Sequence, residues 1–109
     1  MLSQNPSSRS SAGYAFPGAA LAISANANTN GILWAVERNA TSTFDQDSRN
    51  PGTLHAYDAT NLAIELYNSN QSGSRDTLSP AAKYSIPLVA NGKVFVATVN
   101  SLVAYGLIP

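Results

Sequence analysis

His55 is the sole histidine of this 109-residue chain, so any His-based metal cluster or Ser/His/Asp relay would have to be built around it. It shares strand parity with Thr53 and Tyr57, and a structural or surface role is expected. Serines are abundant, but no Gly-x-Ser-x-Gly elbow occurs, and an unactivated hydroxyl is a poor nucleophile. Asp45-Gln46-Asp47-Ser48-Arg49-Asn50-Pro51-Gly52 begins with the alternating acids of a calcium loop, since a hard cation wants several oxygens from one tight turn. Arg49 takes the third alternate position and no Glu closes the loop, so a solvated hairpin loop is expected there. Asp58 reads as a turn-former whose carboxylate accepts backbone N–H bonds from Thr60 or Asn61. No residue is assigned a catalytic, cofactor-binding or metal-binding role.

Trp34 and Phe95 could stack a ligand, but their equivalent places in a repeat make both of them expected core. Asn39-Ala40-Thr41 and Asn70-Gln71-Ser72 fit the glycosylation pattern, which matters only on a eukaryotic secretory route. Arg75 and Asp76, in Ser72-Gly73-Ser74-Arg75-Asp76, and Lys83 fall in what reads as a solvated link between two units.

These residues sit on a chain of single-domain length with a formal net charge of zero. Charged residues make up 11%, under half of the roughly 25% typical of globular proteins, so a basic nucleic-acid surface is not expected. Without cysteine there are no disulfides, thiolate metal sites or thiol nucleophiles, and the redox compartment stays open. No apolar run approaches the roughly 18 residues of a membrane span. Met1-Leu2-Ser3-Gln4-Asn5-Pro6 lacks the basic start and apolar core of a signal peptide.

Residues 1–16 are crowded with Ser and Asn and read as a loop or frayed leader. From Pro17 the texture becomes short apolar runs bounded by Gly, Asn, Ser or Pro, which predicts seven strands over 19–24, 32–37, 53–57, 62–68, 85–90, 93–98 and 102–107. Leu62, Glu65 and Leu66 have helical spacing, but a helix over 59–67 would be too short to stand alone, and a strand is preferred.

The landmarks recur. Phe16-Pro17, Asn30-Gly31, Trp34 and Leu54-His55-Ala56-Tyr57 are followed in the same order by Ile86-Pro87, Asn91-Gly92, Phe95 and Leu102-Val103-Ala104-Tyr105. Loops of different length on constant strands suit a repeat scaffold. Asn91-Gly92 is the favoured pair for a two-residue hairpin, since both central positions need positive φ, and Asn30-Gly31 reads as the matching turn. Ile32, Trp34 and Val36 lie on one strand face with Leu33 and Ala35 on the other, and Val94 and Val96 oppose Phe95 and Ala97. Both faces want cover, as in small stacked sheets.

The expected fold is therefore all-β, with about two antiparallel blades of a β-propeller: a four-stranded blade over 17–70 and a three-stranded terminal blade over 84–109 that lacks its fourth strand. About four to eight blades of roughly 40 to 50 residues close a ring, so the chain is read as a piece of a longer propeller or as one that must associate. Its expected partners are the remaining blades or further copies of itself.

Leu54-His55-Ala56-Tyr57-Asp58-Ala59-Thr60-Asn61-Leu62, Glu65-Leu66-Tyr67 and Pro87-Leu88-Val89-Ala90-Asn91-Gly92-Lys93-Val94-Phe95-Val96 resemble the quinoprotein-like, or pyrroloquinoline-quinone-like, propeller repeats. The resemblance runs from Pro17 to Pro109 and is to the terminal blades of large bacterial proteins whose last strand ends in Gly-Leu-x-Pro. It implies a propeller and a periplasmic or secreted setting. Asn61 and Leu62 stand where the family has Thr-Gly, and Tyr67 lies one residue past the family's Trp, so the Trp docking between blades is expected to be weakened or replaced. The family's dehydrogenases hold pyrroloquinoline quinone with calcium near the ring axis, with adjacent cysteines in many, and none of that set is visible here. The preferred reading is a non-catalytic scaffold or binding surface, with loops 24–31, 38–52 and 69–84 as candidate contacts. The alternative is the closing blades of a quinone-dependent dehydrogenase, whose cofactor would belong to the full-length parent. A third is a self-standing homo-oligomer.

Overall fold

Short runs of β-branched and aromatic residues between polar turns have no helical apolar stripe to bury, and they pair as strands. The computed structural model describes residues 4–14, 18–26, 29–38, 51–82 and 86–106. Seven strands form: β1 (Ala20–Asn26), β2 (Thr29–Glu37), β3 (Thr53–Asp58), β4 (Asn61–Asn68), β5 (Leu88–Ala90), β6 (Lys93–Ala97) and β7 (Leu102–Tyr105). The protein is all-β, with two antiparallel sheets in the orders β1-β2-β3-β4 and β5-β6-β7. The described residues form no helix, and so none long and apolar enough to cross a membrane. Within the 59–67 stretch the residues from Asn61 on are strand, forming the edge strand β4 beside β3.

The two sheets share a register. Trp34 pairs with Ala56 and Leu33 with Tyr57; in the second sheet Phe95 pairs with Ala104 and Val94 with Tyr105. Tyr57 and Tyr105 thus hold the same place in successive units. Asn91 and Gly92 both have positive φ, 52° and 71°, and make the tight turn between β5 and β6.

The first copy departs from its expected turn. Asn30 keeps a positive φ of 56°, matching Asn91, but Asn30 and Gly31 lie inside β2, because β1 continues to Asn26 and pairs there with Thr29. Five extra residues are thereby absorbed into a longer hairpin with a register shift between Ser24 and Asn26. Phe16 and Pro17 lie outside the described residues. Pro87 precedes Leu88, which pairs with Phe95 as Ala22 pairs with Trp34, so the strand register aligns Pro87 with Leu21.

The core lies between the sheets. Val36, Leu54, Val94 and Val96 are buried together with Leu78 and Ala81 of the connecting segment, flanked by Trp34, Val89, Val103 and Tyr105. Each such aliphatic side chain contributes about 1.5–3 kcal/mol by leaving water. Strand alternation fixes which faces meet. The first sheet presents the face bearing Trp34, Val36 and Leu54; the second presents the face bearing Val94, Val96 and Tyr105, whose repeat equivalents in the first sheet are Leu33, Ala35 and Tyr57. The sheets are stacked head to tail, and β1 also approaches β5.

This polarity corrects the expectation for Phe95. Trp34 packs against the core, whereas Phe95 lies on the opposite face of its sheet from Val94 and Val96, where it is half-buried and is not among the described residues packed on that core. Gly52 sits where the connecting segment crosses β2: a Cβ there would lie 2.8 Å from the Ala81 Cβ and 3.2 Å from the Glu37 carbonyl oxygen. Its N–H donates to the Ser79 carbonyl at 3.2 Å.

Candidate functional site

Side chains that carry chemistry gather on the two opposite faces of the first sheet. On the face of Leu33, Ala35 and Tyr57, His55 is 6% exposed. Its Nε2 lies 2.8 Å from Glu37 Oε1, and its Nδ1 contacts Glu65 Oε1. Glu37 arrives from the end of β2 beside Thr53, and Glu65 from β4 opposite Tyr57. Each ring nitrogen thus faces one carboxylate oxygen. Both nitrogens are engaged by carboxylates from neighbouring strands.

Aromatic rings seal this cluster. His55 and Tyr57, two apart on one strand face, stack with ring centroids 5.8 Å apart. Tyr14 of the leader meets His55 edge-on at 5.4 Å, and its hydroxyl lies 2.6 Å from that of Tyr57. Burial first, and the Tyr57 hydroxyl second, push the Tyr14 phenol far above its ordinary range; burial also raises Tyr57. The leader stretch 4–14 forms no strand, yet it is pinned: the Leu62 N–H donates to Ser8 Oγ at 3.1 Å.

On the other face, the β-bulge of β4 decides the arrangement. Ala56 pairs with Tyr67 and Tyr57 with Glu65, which leaves Leu66 without a partner in the ladder and lets Tyr67 join the Trp34 face while Glu65 joins His55. The Tyr67 hydroxyl donates to Asp76 Oδ2 at 2.8 Å, and the Tyr105 hydroxyl donates to the Asp76 carbonyl at 2.8 Å. Arg75 grips the same carboxylate in a fork, Nε to Oδ1 at 2.7 Å and a terminal NH₂ to Oδ2 at 2.6 Å. The Arg75 fork, then Tyr67, hold the Asp76 carboxyl down at about 2. Burial, aided by Asp76, raises Tyr67 and lifts Tyr105 to about 12.

Asp76 is therefore a clasp between β4 and β7, not a solvated link. Its signal in the sequence was the extra residue before Tyr67, which displaces the ring onto the inter-sheet side. The clasp walls a cleft of about 640 Å³ lined by Trp34, Tyr67, Arg75, Val94 and Tyr105 among others. Trp34 keeps its indole N–H on Ser24 Oγ at 2.9 Å.

Asp58 makes the turn expected of it: Oδ1 accepts the Thr60 N–H at 2.8 Å and the Thr60 hydroxyl at 2.6 Å. Those bonds, the hydroxyl first, lower its carboxyl below the usual range. Asn70 is exposed and its amide donates to Thr53 Oγ1 at 3.0 Å. Asn39 with its sequon, Asp45 to Asn50 and Lys83 lie outside the described residues. Among the described residues no group of three or more His, Cys, Asp or Glu is arranged to hold a metal ion. No family model matches the chain, and no curated protein or solved structure is similar to it.

Proposed function

We propose that this chain is a pair of β-propeller blades of the quinoprotein-like kind, acting as a non-catalytic scaffold or binding surface. One observation carries the reading: two units of identical strand register are stacked with unlike faces in contact, Trp34, Val36 and Leu54 against Val94 and Val96. Two sheets related by a twofold would join like faces. A stack that joins unlike faces repeats the same step from unit to unit, which is how blades follow one another around an axis. The approach of β1 to β5 agrees, since first strands of successive blades lie innermost. The Tyr67–Asp76–Tyr105 clasp takes the place of the family's Trp docking.

A scaffold role is supported by the state of the polar groups. Glu37 and Glu65 are engaged by His55, Asp58 by Thr60, and Asp76 by Arg75 and Tyr67, so each described carboxylate already serves the fold. The test is a titration of the purified protein with pyrroloquinoline quinone and calcium, followed by absorbance. The scaffold reading predicts no bound-quinone spectrum, and a saturable one would favour the closing blades of a dehydrogenase.

A further inference from the structure

The second sheet ends where the first goes on. β3 is followed by β4, but among the described residues no strand pairs with the outer side of β7. The backbone there is turned outward. The Thr98 N–H donates to the Ser101 carbonyl at 2.8 Å, which makes that pair a hydrogen-bonded one, and antiparallel alternation then points the N–H and C=O groups of Leu102 and Ala104 away from β6. The first sheet shows how such groups are used. Leu54, the counterpart of Leu102, accepts the Ser69 N–H at 2.9 Å on its carbonyl and donates its own N–H to Ser69 Oγ at 3.0 Å, just past the end of β4. A cleft opens beside the free edge. This is the cleft of about 640 Å³, which reaches Ala104, Tyr105 and Gly106 and is lined also by Trp34, Val94 and Arg75. The Arg75 side chain is 54% exposed; its Nε and one terminal nitrogen are spent on Asp76, and its other terminal nitrogen bonds none of the described residues. Lys93, also exposed, lies beside Gly106. Because Arg75 matches the charge of Asp76, Lys93 leaves this end of the edge with a surplus positive charge.

Resting on the stacked-repeat reading above, we infer that the free side of β7 receives an extended acidic strand of a partner chain, antiparallel to β7, with its carboxylate in the cleft against Arg75. β4 shows the chemistry such a strand needs. By the shared register Ala104 takes the place of Ala56 and Tyr105 that of Tyr57, so a strand with the β4 pattern sets its acid, the equivalent of Glu65, opposite Tyr105. In the first sheet that acid turns to His55. In the second the same face looks into the cleft, since Tyr105 shares it with Val94 and both line the cavity. Main-chain pairing supplies the affinity, and the cleft with its guanidinium selects the acid.

Trp34 is the sole tryptophan and lines the cleft, so its fluorescence reports on occupancy. The probe is an end-blocked peptide of the β4 sequence, Asn-Leu-Ala-Ile-Glu-Leu-Tyr-Asn, titrated into the whole chain. A saturable change in Trp34 emission is expected, together with slowed hydrogen exchange of the Leu102 and Ala104 amides. Glutamine in place of the peptide's glutamate weakens binding roughly tenfold, as loss of a charge-assisted hydrogen bond does, and on Arg75→Gln the two peptides bind alike. N-methylation of the peptide's pairing amides abolishes binding. Ala104→Pro does the same, because the N–H it removes serves no bond to β6. The methylated peptide leaves the protein unaltered, so a folding defect in Ala104→Pro does not decide the matter. A β4 peptide that changes neither Trp34 emission nor the edge amides overturns the inference and leaves standing the stacked-repeat scaffold, whose own test is the quinone titration. Undiminished binding of the methylated peptide overturns it too, since side chains alone would then hold the ligand, and so does a preference for glutamate that survives in Arg75→Gln.

Discussion

Leu54 and Leu102 occupy the same position in two successive units, paired with Val36 and Ala97, yet one is 0% and the other 71% exposed. Local sequence does not separate them. What differs is whether another sheet lies on the face that carries them.

Truncating the two leucines should therefore give opposite results. Leu54→Ala opens a cavity in the inter-sheet core and costs about 2–5 kcal/mol in denaturant unfolding. Leu102→Ala measured on dilute monomer changes stability by no more than about 0.5 kcal/mol.

Gly52→Ala forces a methyl group to within 2.8 Å of the Ala81 Cβ. Overpacking of this kind costs about 1–3 kcal/mol. Adding Ala81→Gly to the same chain removes the clash and should restore part of the loss, which thermal unfolding of the single and double variants measures.

Tyr105→Phe deletes the hydrogen bond to the Asp76 carbonyl and should cost about 1 kcal/mol. Because Tyr67 holds the side chain of the same residue, the Tyr67→Phe and Tyr105→Phe losses should not add. A double-mutant cycle reads the coupling; strictly additive losses would mean that Asp76 does not join β4 to β7.

The clasp also sets a pH dependence at both extremes. Asp76 falls from the ordinary 3.8 to about 2 in the folded protein, so its contribution is complete above pH 3.8 and is lost as the pH drops toward 2. Asp58, lowered by Thr60, acts in the same direction. Tyr105 rises from 10.0 to about 12, so its contribution is complete below pH 10 and is lost as the pH climbs toward 12. Urea midpoints across both ranges should fall at each end, and Tyr105→Phe should flatten the alkaline limb.

Much of this fold was legible in the residues. Strand alternation and Gly or Asn punctuation placed all seven strands, and the recurrence of Trp34 with Tyr57 and Phe95 with Tyr105 gave the register. Stacking polarity was not legible, because Val94, Phe95 and Val96 are apolar on both parities and alternation alone cannot say which face is covered. Repeat equivalence with Trp34 points Phe95 to the core as well. The clasp was hidden for a related reason: Arg75-Asp76 looks like any polar link until the bulge at Leu66 turns Tyr67 toward it. Strand parity puts His55 on the Thr53–Tyr57 face, but its two carboxylates come from β2 and β4, at sequence distances that no local pattern joins.

Methyl and aromatic NOE contacts in solution test the head-to-tail stack most directly. The arrangement predicts contacts from Leu54 and the Trp34 indole to the Val94 and Val96 methyls, with Phe95 making none across the sheets. Contacts between the Phe95 and Trp34 rings would place like faces together and contradict it.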